Sequence, residues 1–239
     1  MSFKSKFNKY ARKIAKVITY FDDEGNGKDP LLDIKRRLDQ RAPIIFDVGA
    51  NTGQSVRKFK RFFPEGKIYS FEPSTKAYNE LEKVSHQYKN VWPHQIALGS
   101  QEAKMKMFEN ACSDMNSFLE MGKHGSGSII GESIVQVMTI DQFCAQNNIP
   151  KIHVLKIDAQ GYDFEVIKGA KAMMLANKIE LLYFEIIFSE MYQGVPRFSE
   201  VYDFLLDHGF LMVSLYDFHY QQNLAGWTDG LFIHQSAIQ

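Results

Sequence analysis

The sequence predicts an α/β fold: a doubly wound, mostly parallel seven-stranded sheet with an antiparallel last strand, preceded by an N-terminal helical extension. Apolar runs of strand length alternate with amphipathic stretches of helix length from residue 44 to residue 209, as in a parallel sheet covered by helices. The first strand breaks into a turn of small residues before a helix, as at the ligand-binding edge of such sheets. Strands 210–216 and 230–234 have only a loop between them, which predicts an antiparallel hairpin at one sheet edge.

The elements before residue 100 follow from this alternation. A short helix is expected to begin at Asp29 and Pro30, because aspartate caps a helix start and proline fits its first turn. Strands are predicted where apolar residues run together, and helices where they recur every three or four positions. The predicted elements are helix 31–38, strand 44–48, helix 55–63, strand 67–71, helix 75–88 and strand 91–97.

The second half of the chain resumes the alternation after an interruption. Residues 104–138 are predicted to form a β-rich insertion whose tip, 122–131, is rich in glycine. Pro150 then separates a helix from an apolar strand that ends on Asp158. The predicted elements are helix 140–148, strand 152–158, helix 164–176, strand 180–187, helix 199–209, strand 210–216 and strand 230–234.

Length and composition predict one domain, residues 41–239, behind a helical extension, residues 1–40. The 28 Lys and Arg residues equal the 28 Asp and Glu residues, so no overall field attracts nucleic acid, and we expect no nucleic-acid partner. Cys112 and Cys144 have neither metal-ligand spacing nor a disulfide framework. A reducing, cytoplasmic location is therefore expected.

The first eighteen residues predict a basic amphipathic helix. Lysine and arginine residues are interleaved with apolar residues that share one helix face, at positions 3, 7, 10, 14, 17 and 18. Two interpretations stay open: a helix lying on an anionic surface, such as the inner face of a membrane or a glycan, and a helix packed on its own domain. No apolar run has the length of a signal peptide or a membrane span. Assembly into a homo-oligomer is equally compatible with the sequence.

The loop after the first strand predicts a nucleoside-cofactor site. Glycines allow the backbone to turn and to approach a ligand, and a helix start directs N–H groups toward it. Glu72 ends the next strand, where a carboxylate is placed to accept both hydroxyls of a ribose. A purely structural turn is the alternative for the glycines. The expected cofactor-binding residues are Asp47, Gly49, Ala50, Asn51, Thr52, Gly53, Glu72, Pro73, Ala97 and Asp158.

The same loop favours S-adenosylmethionine (SAM) over NAD. A dinucleotide loop has the pattern G-x-G-x-x-G, but Asn51 replaces the middle glycine here and Gln54 the last. Asp47 would repel a pyrophosphate, whereas it could pair with the ammonium group of SAM. We therefore expect SAM as the cofactor and S-adenosylhomocysteine (SAH) as its product.

Asp158 is the candidate for chemistry. In a doubly wound sheet the strand after the crossover lies beside the first strand, so Asp158 should emerge next to the cofactor loop. A carboxylate there can hold the cofactor's ammonium or accept a proton from a hydroxyl. Glu185, at the end of the neighbouring strand, is the alternate base, with a capping or salt-bridging role as its alternative.

At this point the sequence resembles the FkbM family of SAM-dependent O-methyltransferases. Short motifs appear in family order across residues 44–234, and the most specific is L-K-I-D-A-Q-G-Y-D-F-E-V-I-K-G-A at 155–170. The others are F-D-V-G-A-N-T-G (46–53), S-F-E-P (70–73), I-A-L-G (96–99), T-I-D-Q-F (139–143), F-E-I (184–186), M-Y-Q-G (191–194), H-G-F (208–210) and D-G-L-F-I (229–233).

The resemblance implies a Rossmann-like class I methyltransferase sheet and methyl transfer from SAM to a hydroxyl, often on a sugar or other secondary metabolite. Many family members have glutamate where Gln160 stands, so no catalytic charge is expected at that position. Aromatic residues near strand ends are expected to stack on a sugar or to pack as a lid. The expected acceptor-binding residues are Ser113, Asp114, Asn116, Gln160, Tyr192 and His219.

Three alternatives to this function are considered. The seven histidines form no metal-binding pattern, so no metal ligands are assigned; a divalent ion bound by Asp158 and Glu185 stays open, without a third ligand that can be named. Methyl transfer to a nucleic-acid base uses a proline-rich turn at positions 158–161, which is absent. A NAD-dependent sugar-modifying oxidoreductase and a non-catalytic nucleotide-binding module remain as alternatives. The expected partner is a small-molecule or glycan acceptor, and we expect the 104–138 insertion to become ordered over the site with ligand.

Overall fold

The computed structural model of the protein describes residues 25–238, so the predicted basic helix lies outside the described residues. Helices and strands alternate through most of this range. The first half contains α1 Pro30–Arg37, β1 Ile44–Val48, α2 Gln54–Phe62, β2 Lys67–Phe71, α3 Thr75–Ser85, β3 Val91–His94, β4 Ala97–Leu98 and β5 Ala103–Asn110. The second half contains β6 Ile129–Met138, α4 Ile140–Gln146, β7 Ile152–Ile157, α5 Asp163–Lys168, α6 Lys171–Leu175, β8 Ile179–Ile187, α7 Phe198–Asp207, β9 Phe210–Gln221 and β10 Leu224–His234.

The main sheet has seven strands in the order β3-β2-β1-β7-β8-β10-β9. Strands β3, β2, β1, β7 and β8 pair in parallel, and β10 is antiparallel to both β8 and β9. The predicted fold, with its mostly parallel sheet and antiparallel last strand, is confirmed. Chain order reverses between β1 and β7, and the carboxyl ends of these two strands therefore flank a crevice where ligands bind in such sheets.

The core lies on both faces of this sheet because successive strand residues point to opposite sides. In β1, fully buried Ile45 packs with Phe59 of α2, whereas Phe46 packs with Phe71 and Phe143 on the other face. Phe143 meets the ring of Phe71 edge-on, with 4.8 Å between ring centroids. Burial of large apolar groups on both faces holds the carboxyl ends of the strands in fixed positions.

The 104–138 segment contributes a second, smaller sheet. Strands β5 and β6 pair antiparallel, and β4 joins β6 in parallel through Ala97 and Leu98. The predicted strand 91–97 is therefore wrong at its end: His94 is the last residue in the main sheet, and Ala97 belongs to the small one. A local apolar pattern cannot distinguish these two sheets, because the choice of partner depends on the distant strand β6.

Two further boundaries differ from prediction for tertiary reasons. The predicted helix 164–176 breaks into α5 and α6 at Gly169, where an added Cβ would lie 2.0 Å from the carbonyl oxygen of Gly99. The final hairpin is longer than predicted, because Gln222 and Asn223 adopt positive φ angles of +49° and +64° and close a two-residue turn without glycine. Within residues 25–238, every helix is too short or too polar to traverse a lipid bilayer.

Candidate active site

A cavity opens at the carboxyl ends of β1, β2 and β7. It contains about 630 Å³ of space between atoms, part of it open to solvent. The strand ends, the β4 segment and the insertion all contribute to its wall. The lining residues are Val48, Gly49, Asn51, Phe71, Glu72, Pro73, Ile96, Ala97, Leu98, Met107, Ser113, Asp114, Asn116, Ser117, Phe118, Asp158, Ala159, Gln160 and Tyr162.

The loop after β1 is folded against the protein itself. Gly49 has φ +69°, and a Cβ there would lie 1.9 Å from the carbonyl oxygen of Asp158. Gly53 has φ +83°, and its Cβ would meet the side chain of Val84 at 3.0 Å. These glycines therefore make room for neighbouring protein atoms, and Gly49 lines the cavity as well.

The N–H groups of this loop are already hydrogen-bonded. Gly49 and Ala50 both donate to the carbonyl oxygen of Phe71 at 3.0 Å, and Asn51 donates to Glu72 Oε2 at 2.9 Å. The loop therefore does not present these three donors to a phosphate, contrary to the expectation of free N–H groups at the helix start. This arrangement argues against a bound pyrophosphate.

Glu72 occupies the predicted place at the end of β2. Its carboxylate accepts hydrogen bonds from the backbone N–H groups of Asn51 and Ser74, both at 2.9 Å, and the residue is 7% exposed. Burial raises the pKa of Glu72 to about 7, against the lowering effects of these hydrogen bonds and of Lys156. A carboxylate held by backbone donors beside a cavity is preorganised to accept ligand hydroxyls.

Asp47 does not line the cavity. Its carboxylate is fully buried below the loop, and Oδ1 lies 3.1 Å from Nζ of Lys156. Burial raises the pKa of Asp47 and the Lys156 ammonium lowers it, with a net upward shift. The cation that Asp47 holds is thus within the protein, which corrects the expectation that it faces the cofactor ammonium.

Lys156 lies at the site, although it is not among the residues predicted there from the sequence. Its ammonium donates to the carbonyl oxygen of Gly49 at 3.1 Å and lies 3.8 Å from Asp158 Oδ2. Burial alone would lower its pKa, but Asp47 and Asp158 outweigh burial and raise it, so the side chain is cationic. The available indication was a lysine inside the apolar run 152–157, since a buried lysine requires an anionic partner.

Asp158 reaches the cavity at the end of β7, where it was predicted. Its side chain is 44% exposed, and Oδ1 accepts a hydrogen bond from Gln160 Nε2 at 2.7 Å. Tyr192 in turn donates its hydroxyl to Gln160 Oε1 at 2.7 Å. Gln160 thus orients Asp158, and Tyr192 lies behind Gln160 and outside the cavity wall.

Glu185 lies in a different environment from the one its predicted role requires. It lines a separate pocket of about 330 Å³, and its Oε2 has no hydrogen-bond partner among the described residues. Burial, followed by the charges of Asp158, Asp163 and Asp229, raises the pKa of Glu185 to about 9. A carboxyl group that is protonated at neutral pH donates a hydrogen bond, so the expected role of alternate base is corrected.

The insertion closes one side of the cavity. Ser113, Asp114 and Asn116 line it as expected, and the Ser113 hydroxyl donates to Asn51 Oδ1 at 3.3 Å. The Ser117 hydroxyl donates to the carbonyl oxygen of Gln160 at 2.7 Å. Two hydrogen bonds therefore tie the insertion to the loops after β1 and β7.

The remaining predicted residues lie outside the cavity wall. Ala50, Thr52 and Gly53 belong to the loop but do not line the cavity. His219 was expected in a loop, yet it is an exposed residue of β9 whose ring stacks on Trp227 with 4.7 Å between centroids. Among residues 25–238, no group of three or more metal-ligating side chains is arranged to hold an ion.

Sequence comparisons identify a family and relatives that are named as methyltransferases. A profile of the methyltransferase FkbM domain matches residues 47–212. The 2-O-methyltransferase NoeI of Sinorhizobium fredii is 24% identical over 193 residues, which cover 70% of this chain and 73% of that protein. The hexuronic acid methyltransferase AglP of Haloferax volcanii is 24% identical over 153 residues, which cover 64% of this chain and 57% of that protein.

A solved structure shares the fold. The magnesium protoporphyrin IX methyltransferase ChlM of Synechocystis PCC 6803, determined with bound SAM, has a TM-score of 0.50 at 12% identity. The match covers 86% of this chain and 76% of that chain. At this identity the likeness concerns the fold alone.

Proposed function

The chain belongs to the FkbM methyltransferase family, and on that premise we propose that it transfers a methyl group from SAM to a hydroxyl oxygen of a sugar or related metabolite. The family and the class I methyltransferase fold predicted from the sequence are confirmed, and NAD-dependent oxidation is set aside. The observation that carries the proposal is Asp158, a half-exposed carboxylate on the cavity wall shared with Glu72.

The residues of the cavity fit SAM. Glu72 offers carboxylate oxygens for ribose hydroxyls, and Pro73 and Ala97 offer apolar surface for the base. The charge of Asp158 raises the pKa values of its neighbours Asp163 and Glu185, and Asp158 itself lines the cavity's end near β7, so that end favours a cation. When bound, SAM would supply an electrophilic methyl group on a sulfonium, whose positive charge suits this environment.

Asp158 is proposed as the proton acceptor. The acceptor oxygen would take the methyl group that bound SAM would supply, and the Asp158 carboxylate would accept the hydroxyl proton. Gln160 donates a hydrogen bond to Oδ1 of that carboxylate. Oδ2 lies 3.8 Å from the Lys156 ammonium, whose charge orients it. An aligned base typically contributes about 10²–10⁴-fold in rate.

The names of two relatives support a carbohydrate acceptor. One is called a 2-O-methyltransferase and the other a hexuronic acid methyltransferase. We propose a small-molecule or glycan acceptor and no nucleic acid, since basic and acidic residues balance at 28 each. We also propose a cytoplasmic location. The basic N-terminal segment is the candidate for contact with the inner face of a membrane. Assembly into a homo-oligomer is a further proposal, which a measurement of the mass in solution tests.

Incubation with SAM and a glycan pool, followed by mass spectrometry, tests the proposal. A mass increase of one methyl group with release of SAH is expected. Once an acceptor is found, Asp158→Asn should lower kcat by about 10²–10⁴-fold with SAH affinity nearly unchanged. Glu185→Gln is the comparison, because it replaces a neutral acid by a neutral amide. Unchanged kcat in Asp158→Asn with a large loss in Glu185→Gln would overturn the assignment of the base.

A further inference from the structure

A second cleft adjoins the cofactor cavity. It contains about 970 Å³ of free space and lies between the starts of α1 and α2 and the carboxyl ends of β7 and β8, beside the β9–β10 hairpin. Polar and aromatic side chains dominate its wall. The lining residues are Asp29, Pro30, Leu31, Ser55, Lys58, Phe59, Lys156, Ile157, Asp158, Tyr183, Tyr216, Asp217 and Asp229.

The two spaces share Asp158. The cofactor cavity lies over β2, β1 and β7, and the second cleft lies over β7, β8, β10 and β9, which continue the same sheet in that order. Asp158 is the one residue that lines both among those described. A group that enters the cleft can therefore approach the carboxylate from the side opposite Glu72.

The cleft wall combines ring faces with fixed hydrogen-bond acceptors. The Tyr183 hydroxyl donates to Asp229 Oδ2 at 2.5 Å, which leaves Oδ1 of the same carboxylate for a ligand donor. The Tyr216 hydroxyl donates to buried Asp33 at 2.8 Å and the residue is only 2% exposed, so Tyr216 backs the wall and the partly exposed Tyr183 offers the ring face. Fixed aromatic rings and carboxylates suit a polyhydroxylated ring, because its C–H face packs on an aromatic ring and its hydroxyls donate to carboxylates.

The charge of the wall restricts the ligand further. Asp158, Asp217 and Asp229 face this space, whereas the Lys156 ammonium lies 3.1 Å from buried Asp47 and its charge is balanced there. Lys58, an exposed residue of α2, is the other ammonium group of the wall, against the three carboxylates of Asp158, Asp217 and Asp229. Carboxylates on the described wall therefore outweigh free cations, and a ligand carboxylate would meet like charges.

We infer that this cleft is the acceptor site and that it takes a neutral or amino-bearing polyhydroxylated ring in preference to a uronate. The inference rests on the proposed function and specifies its substrate class. It also distinguishes this chain from the relative named for hexuronic acid.

Ligand-observed NMR on the SAH-saturated protein tests the inference with three matched probes: methyl β-glucoside, methyl β-glucosaminide with a free amine, and methyl β-glucuronide. The first two should bind at least tenfold more tightly than the glucuronide. The double variant Asp217→Asn, Asp229→Asn should bind the glucosaminide at least tenfold more weakly than the wild type does. The ratio of its affinities for the glucosaminide and the glucuronide should therefore be smaller than in the wild type. Asparagine also tolerates the φ of +41° at position 217.

Asp203→Asn, an equal charge change at an exposed position of α7, is the control and should leave all three affinities unchanged. Glucuronide binding as tight as that of the glucoside, no effect of the double substitution, or no binding of any probe would each overturn the inference. Calorimetry with SAH separates this result from the proposed function. If the wild-type protein neither binds SAH nor transfers a methyl group, the proposed function is wrong. If it binds SAH and methylates the glucuronide, the inference about the acceptor is wrong and the proposed function stands.

Discussion

Three contacts determine what the Asp158 side chain can do. Gln160 holds one carboxylate oxygen at 2.7 Å, the Lys156 ammonium lies 3.8 Å from the other, and the side chain is still 44% exposed. The buried carboxyls nearby have raised pKa values, about 7 for Asp163 and about 9 for Glu185. Asp158 lines the cofactor cavity whereas Asp163 and Glu185 do not, so Asp158 is the carboxylate placed to accept a proton from a ligand there.

Gly49→Ala should be strongly destabilising. The residue has φ +69°, and its new Cβ would lie 1.9 Å from the Asp158 carbonyl oxygen, so both backbone strain and a backbone collision arise. We expect a loss of about 3 kcal/mol or more in the free energy of unfolding, measured by urea denaturation. Gly194→Ala is the matched control, because it has φ +77° with nothing within 4 Å of the added Cβ. It should lose only about 1–2 kcal/mol, and equal losses would contradict the collision.

SAH affinity should fall as the pH decreases through 7. Glu72 has a pKa of about 7, against an ordinary value of 4.5, because burial disfavours its charge. Ribose hydroxyls donate to the ionised form, so protonation should weaken SAH by up to about tenfold per pH unit below pH 7. Calorimetry from pH 5.5 to 8.5 measures this dependence.

Glu72→Gln separates this carboxyl from Asp163, whose pKa is also about 7. The variant should bind SAH more weakly with no titration near pH 7, and persistence of the pH dependence would assign it to Asp163.

The pH dependence of stability gives a second check on Glu72, with a defined sign. A raised pKa means that the folded state retains the proton, so the stability that Glu72 contributes is fully present below pH 4.5 and is lost as the pH rises through 7. As the pH rises from 4.5 to 7, the free energy of unfolding of the wild type should therefore fall relative to that of Glu72→Gln.

At the scale of elements, three contacts couple the insertion to the site and its surroundings. Ser113 bonds Asn51, Ser117 bonds the backbone of Gln160, and Met121 forms a β-bridge with Tyr192. We expect SAH to slow hydrogen exchange across residues 110–121 by several-fold, since these residues line or adjoin the cavity. Residues 129–131, at the exposed start of β6, serve as an internal control. Equal exchange rates in residues 110–121 with and without SAH would show that the insertion does not respond to cofactor binding, contrary to this prediction.

The sequence predicts elements well where the pattern is local and poorly where a distant partner decides. Glu72 and Asp158 could be placed because each ends an apolar strand, and parallel strands end at one edge. Lys156 could not be paired with Asp47, because that contact depends on the register between β7 and β1. The role of Gly49 also depends on a distant segment, since the atom that excludes a Cβ belongs to Asp158. Such contacts are set by packing between strands, which one sequence does not report.

At the scale of the whole molecule, the cofactor should act as a stabiliser that holds loops from separate parts of the chain together. The cavity wall draws on the ends of β1, β2 and β7 and on the insertion, so a ligand that binds there favours the folded state alone. At 100 times its Kd, SAH should add about 2.7 kcal/mol, which raises Tm by about 5–10 °C in a domain of this size. Thermal denaturation with increasing SAH measures the shift.

NAD at the same concentration should leave Tm unchanged. Its pyrophosphate needs free backbone donors, yet the N–H groups of Gly49 and Ala50 are bonded to Phe71 and that of Asn51 is bonded to Glu72. The carboxylate of Asp158, which also lines the cavity, would add repulsion between like charges. Glu72→Ala should abolish most of the SAH shift, because it removes the acceptor of the ribose hydroxyls. A Tm increase with NAD that matches the increase with SAH would require loop donors that are free to bind phosphate, in conflict with the hydrogen bonds that close this loop.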